Sequence, residues 1–281
     1  MSPAGAPPHP TTFGSASLWI VDLDGVVWLT GEPIGPVGDA VAALRARGIH
    51  VVFATNNSAP TTEELLARLR RIGIESTAGD LATSAAAVAS LLDEGQRVTV
   101  LAEEGVHESL AARGVEVVDP TSAVGRGQGR PSEAAVVGWS RSFDFGSLAA
   151  TATAARDSGR LIATNEDPTH PTPDGLMPGS GALLAAVATA SGVTPEVAGK
   201  PHTAMASLMQ ERFGFSRGDA SVVMIGDQPE TDGRLAQRLG VPFGLVDSGV
   251  TPASTHSFDV PVAVRSTDFV SLVATSLGDR F

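Results

Sequence analysis

The sequence predicts an α/β fold, a doubly wound parallel-sheet core interrupted by a smaller inserted α/β domain. Three observations predict it. Short apolar runs alternate with helix-period patterns near the start of the chain. The same alternation resumes after Ala220. The stretch between them carries expected strands of its own. The length of 281 residues suits about two domains at roughly 150 residues each.

Leu18–Leu23 (LWIVDL) reads as a buried strand. Val37, Ala40, Val41 and Leu44 repeat at i, i+3, i+4 and i+7, one face of a helix, and Gly48 marks its end. Ile49–Ala54 is the next strand. Thr61 and Glu64 have capping-box spacing ahead of Leu65, Leu69 and Ile72. Strand, helix, strand and helix joined by short turns imply right-handed parallel βαβ units. The insertion has expected strands at Arg97–Leu101, Val115–Val118, Ala134–Val137 and Leu161–Ala163. Its helical patterns lie at Val106–Ala112 and Leu148–Arg156, and Asp119–Pro131 is a Gly/Pro-rich loop holding Arg126 and Arg130. Ser221–Ile225 and Phe243–Val246 are expected core strands flanking a helix near Gly233–Leu239. The expected boundaries are a disordered, Pro-rich leader over 1–14, a core over 15–94 and 195–281, and an inserted domain over 95–194.

There are 19 Lys+Arg against 31 Asp+Glu, a formal charge of −12. That field argues against a general nucleic-acid binder and a polybasic membrane-surface protein. With no cysteine, disulfides, thiolate catalysis, zinc–cysteine sites and iron–sulfur clusters are excluded. No apolar run approaches the ~20 residues that span a bilayer. The first residues lack the basic start and apolar stretch of a secretory signal, so the expected location is the cytoplasm.

Four polar motifs stand out. Asp22-Leu23-Asp24-Gly25 follows the first strand, and Thr55-Asn56-Asn57-Ser58 follows the second. Gly199-Lys200-Pro201 sits at a loop-to-helix junction. Gly226-Asp227-Gln228-Pro229-Glu230-Thr231-Asp232 follows a late strand. Taken alone, each is also an ordinary polar turn. In an open parallel sheet, however, ligands bind beyond the carboxyl ends of the strands. Carboxylates of Asp22 and Asp227 with the Asp24 carbonyl would make an oxygen-rich Mg²⁺ site. The hydroxyl, amides and N–H groups of Thr55, Asn56 and Asn57 suit phosphate oxygens. A carboxylate can act as nucleophile, and a second can protonate a leaving oxygen and then activate water.

In this order the motifs resemble the haloacid dehalogenase superfamily, more narrowly its p-nitrophenyl-phosphatase-like (NagD-like) branch. Val136-Val137-Gly138, Ala163-Thr164-Asn165 and Pro178-Gly179-Ser180-Gly181-Ala182 also resemble that branch. The resemblance runs from about Leu18 to about Gly249. It implies a Rossmann-like core, a large cap as the insertion, and pairing of two copies through the cap. It implies Asp22 as nucleophile, Asp24 as general acid/base, and Asp22, the Asp24 carbonyl and Asp227 as Mg²⁺ ligands. Thr55, Asn56 and Lys200 would bind the phosphoryl group, with Asp232 orienting Lys200 or metal-bound water. Gln228-Pro229-Glu230 departs from the Arg and Leu frequent there, and Pro229 removes a backbone donor.

The expected activity is hydrolysis of a small phosphorylated metabolite through an aspartyl-phosphate. A phosphotransferase with the same intermediate and a catalytically weak phosphate-binding regulator are the alternatives. No Gly-x-Gly-x-x-Gly follows the first strand, as a dinucleotide enzyme would require. In the insertion, Asn165, Asp167 and His170 lie in a polar loop expected near the active-site mouth, where His170 would touch the substrate. Arg126, Arg130 and Arg141 are candidates for attracting an anionic leaving group. Trp28 is expected to pack beneath the cap.

Overall fold

The computed structural model describes residues 10–118, 131–172, 175–251, 254–255 and 257–278. The chain begins with β1 (Leu18–Asp22), the short ribbon β2 (Trp28–Leu29) and β3 (Glu32–Pro33), α1 (Val37–Ala46) and β4 (His50–Thr55). It continues through α2 (Thr62–Arg71), β5 (Leu81–Thr83), α3 (Ser84–Ser90), β6 (Arg97–Leu101), α4 (Glu104–Ala112) and β7 (Glu116–Val118). Next come β8 (Ala134–Val137), α5 (Phe145–Ser158), β9 (Leu161–Ala163), β10 (Thr169–Thr172), β11 (Gly175–Pro178), α6 (Ser180–Ser191) and β12 (Pro195–Val197). The last elements are α7 (Thr203–Phe213), β13 (Val222–Gly226), α8 (Arg234–Leu239), β14 (Phe243–Val246), β15 (Val264–Ser266) and α9 (Phe269–Leu277). Two compact units result: the described residues of Met1–Ala54, Arg68–Leu81 and Gln210–Phe281, and those of Thr55–Ala67 and Ala82–Met209.

The first unit is organised by a six-stranded sheet of order β15-β14-β13-β1-β4-β5. β1 pairs in parallel with β13 on one side and β4 on the other. All five residues of β1 are buried, which is why it reads as an unbroken apolar run rather than an alternation. The chain lays strands to one side of β1, then returns to lay β13, β14 and β15 on the other. The strand order therefore reverses between β1 and β13, where a doubly wound sheet opens its ligand crevice. α1 buries Val37, Ala40, Val41 and Leu44, the face that the periodicity predicts.

The leader expectation fails at its last residues. Pro10–Ser15 form a 3₁₀ turn, and Phe13 is 2% exposed. Its ring stands edge-on to Trp19 at 5.9 Å, and Phe269 meets the same indole at 6.3 Å. A Pro-rich composition reads as disordered, but one aromatic seated in a T-shaped trio recovers enough apolar burial to order the turn. Residues 1–9 lie outside the described residues.

The second unit is built on a five-stranded sheet of order β12-β9-β8-β6-β7, parallel throughout. Val197, Ala163, Val137 and Leu101 lie in register across four of its strands. Ala152 and Ala155 of α5 and Leu183, Leu184 and Val187 of α6 share a core cluster with Ala135, Val137, Leu161 and Ala163. β12 lies on the core side of the expected 194/195 boundary, yet it hydrogen-bonds to β9 in this sheet. Three residues with a Pro and a Glu give too little pattern to register as a strand. The expected capping box forms: Thr61 N donates to Glu64 Oε2 (2.9 Å), and Glu64 N donates to Thr61 Oγ1 (3.3 Å). The loop bearing Arg126 and Arg130 falls at residues 119–131, and both arginines lie outside the described residues.

Candidate active site

β1 ends at Asp22, beside the end of β13 at Gly226. Asp22, Asp227 and Asp232 are all buried, and one carboxylate oxygen of each lies within 4.8 Å of the others. Backbone amides hold each in place. Leu23 N donates to Asp22 Oδ1 (2.7 Å), Val250 N to Asp227 Oδ2 (2.8 Å) and Gln228 N to Asp232 Oδ2 (3.1 Å). Three carboxylates sharing a buried volume repel one another and lose hydration. An all-oxygen donor set of this kind fits a hard divalent cation.

Glycines make the packing possible. Gly25 has φ +88°, and a Cβ there would stand 2.5 Å from Asp227 Oδ2. A Cβ on Gly249 would overlap the same carboxylate. Only a residue without a side chain fits at either position. Ser248 Oγ donates to the Gly25 carbonyl (2.7 Å), tying the loop after β14 to the loop after β1.

The carboxyl of Asp24 has a different setting. It is exposed, and its Oδ1 accepts a hydrogen bond from Trp28 Nε1 (3.0 Å). Trp28 is itself 3% exposed, so a rigid indole aims a solvent-reachable carboxyl. Pro229–Gly233 form a π-helical turn in which Asp232 N donates to the Gln228 carbonyl (2.8 Å). Pro229 opens this turn, where its missing N–H is not needed, so the departure at Gln228-Pro229-Glu230 is accommodated.

The other predicted residues form a network in the second unit. Lys200 N donates to Asn56 Oδ1 (2.7 Å), and Asn56 Nδ2 donates to the Lys200 carbonyl (3.1 Å) and to Asp167 Oδ2 (3.3 Å). Both donors of the Asn56 amide are thereby engaged, and it brackets the Lys200 backbone. Asn165 Nδ2 (2.8 Å) and Ser84 Oγ (2.7 Å) both donate to the Asn56 carbonyl. Asn165 and Asp167 thus support Asn56 through their side chains. Thr55 is buried and accepts from Asn57 N (3.0 Å), while Asn57 Oδ1 closes a turn with Ala59 N (3.2 Å). His170 lies on β10, half-buried, with its ring edge-on to Trp139 at 5.2 Å.

Sequence reasoning singled out Trp28 only as packing beneath the cap, not as the donor to Asp24, and it missed Ser84, Ser248 and Gly249 as parts of this machinery. For Trp28, the spacing of four from Asp24 after a strand end was a usable signal. For the others, only their place after or before a strand was available, and that singles out no partner.

A family model described as haloacid dehalogenase-like hydrolase matches residues 19–116, and a second, haloacid-dehalogenase-hydrolase-like model matches 197–273. The chain is 36% identical over 248 residues to the D-glycerol 3-phosphate phosphatase of Mycobacterium tuberculosis, covering 86% of this chain and 66% of that protein. It is 34% identical over 250 residues to human (Homo sapiens) chronophin, covering 85% and 83%. A crystal structure of the glycerol phosphate phosphatase of M. tuberculosis in complex with magnesium superposes with TM-score 0.80 at 32% identity, covering 93% of this chain and 77% of that one.

Proposed function

The chain belongs to the haloacid dehalogenase-like hydrolases as a phosphoric monoester hydrolase, and we propose that it hydrolyses a small phosphorylated metabolite through an aspartyl-phosphate on Asp22, with Mg²⁺ as cofactor. The observation that carries this reading is the buried group of Asp22, Asp227 and Asp232 at the strand-order reversal. Asp22, the Asp24 carbonyl and Asp227 would hold the cation, and Asp232 would support it. When bound, the cation offsets the negative charge that a phosphoryl group brings to a carboxylate cluster.

Asp22 is held by the bond from Leu23 N to its Oδ1, and its carboxylate is the nucleophile. It bonds to phosphorus as the ester oxygen leaves, and Asp24 gives that oxygen its proton. The Asp24 carboxylate then takes a proton from water, whose oxygen attacks phosphorus as the bond from phosphorus to the Asp22 oxygen breaks. Inorganic phosphate departs, and both carboxyls regain their starting states. Thr55 and Lys200 bind the phosphoryl oxygens, and Asn56 holds the lysine's backbone rather than spending its amide on the substrate. Substrate choice is assigned to the inserted domain.

The test is hydrolysis of p-nitrophenyl phosphate by purified protein with and without Mg²⁺. A chelator is expected to cut turnover by about 100-fold or more, with recovery on added Mg²⁺. No hydrolysis at saturating Mg²⁺ would overturn the reading. The indole of Trp28 gives a finer check. Trp28→Phe keeps an aromatic ring and removes the hydrogen bond to Asp24, worth roughly 1.5–3 kcal/mol for a charged acceptor. We expect hydrolysis of alkyl phosphates to fall about tenfold, with a shift in the limb of the pH–rate profile that reports the acid. A variant with an unmoved profile and unchanged rate would detach Trp28 from Asp24's task.

A further inference from the structure

The parallel strands of the second unit end in one row, and chemistry-bearing residues leave that row in order. Lys200 follows β12, Asn165 and Asp167 follow β9, Trp139 and Arg141 follow β8, and Glu103 follows β6. The carboxyl edge of a parallel sheet is where ligands bind. The Asn56–Lys200 bracket occupies one end of this edge.

The β8 end carries a stack that the phosphoryl chemistry does not use. Arg141 Cζ stands 5.3 Å from the centroid of Trp139, and His170 meets the same indole edge-on. The indole is pinned, because Trp139 Nε1 donates to the Pro178 carbonyl (3.1 Å). The backbone on both sides is pinned too. Glu103 N donates to the Trp139 carbonyl (3.1 Å), and Arg141 N donates to Glu103 Oε1 (2.8 Å). The Arg141 side chain is exposed, and among the described residues no carboxylate pairs with its guanidinium. A guanidinium propped on an aromatic face keeps its fork of N–H donors available to a planar or tetrahedral anion. β12 and β8 are two strand spacings apart, about 10 Å, on the scale of a small metabolite.

We propose that Arg141, seated on Trp139, selects phosphate esters whose leaving part carries a second anionic group, a carboxylate or another phosphate. This rests on the phosphatase reading above, with Lys200 taking the transferred phosphoryl group and Arg141 the far anion. The charge of the far group is what distinguishes this class from neutral polyol and sugar phosphates.

The experiment compares three-carbon esters on purified protein with Mg²⁺. 3-Phosphoglycerate offers a carboxylate, propane-1,3-diol bisphosphate a second phosphate, and glycerol 3-phosphate a neutral end. Wild-type protein should favour at least one acidic ester by kcat/KM. Arg141→Ala should reduce the acidic-to-neutral ratio about tenfold or more, mainly through KM. Arg141→Lys should restore part of it, and Arg141→Glu should invert it. The acidic ester whose ratio falls further identifies the anion. A ratio unchanged within twofold in Arg141→Ala, with the esters still hydrolysed, would overturn the inference alone. Failure of wild-type protein to hydrolyse these esters and p-nitrophenyl phosphate would overturn the phosphatase reading and the inference with it.

Discussion

Asp22→Asn should lower turnover by about 10³-fold or more on every ester while leaving the fold intact, because an amide is a poor nucleophile. The retained side-chain oxygen can still accept from Leu23 N, the bond now made at 2.7 Å. The substitution also removes one of three mutually repelling charges beside Asp227 and Asp232. Thermal stability without added metal should therefore stay level or rise. Steady-state kinetics and a melting curve on the same preparation check both halves. Retention of more than about a tenth of wild-type activity would remove the nucleophile's role from Asp22.

The second large effect concerns Asp24→Asn, and it should depend on the leaving group. An alkoxide needs a proton as it departs, whereas p-nitrophenolate largely does not. General-acid assistance is typically worth ~10²–10⁴-fold, so glycerol 3-phosphate hydrolysis should fall by that order and p-nitrophenyl phosphate hydrolysis much less. The Asn side-chain oxygen can keep the bond from Trp28 Nε1, which separates loss of the proton from loss of position. Equal slowing of both substrates would take the acid role from Asp24.

The strands and motifs that stand on strong local signals were legible in the sequence. β1, β4, β13 and β14 are apolar runs bounded by turns, and each is buried on both faces. The acidic and Thr-Asn motifs sit directly at the ends of β1, β4 and β13. What escaped reading depends on partners distant in sequence. Asn56 reads as a phosphate ligand because amides suit phosphate oxygens, but its two donors and one acceptor meet Lys200 and Asp167. Nothing local to residue 56 announces that competition. β12 and the β10–β11 hairpin are three or four residues each, too short to establish a period. Phe13 shows the opposite error, where local composition spoke for disorder and one distant pair of rings decided otherwise.

The place of β1 in its sheet bears on how the chain is made. One of its edges waits for β13, which begins at Val222. At roughly 5–20 residues per second, a ribosome needs roughly ten to forty seconds to deliver that partner. Throughout that interval Leu18, Trp19, Ile20 and Val21 present an open apolar strand edge, the kind of surface that recruits other chains. The second sheet faces no such delay, since all five of its strands have emerged by Val197. Vectorial synthesis thus completes the second sheet before the carboxylate cluster can exist, and β1 is the strand whose edge waits longest for its partner.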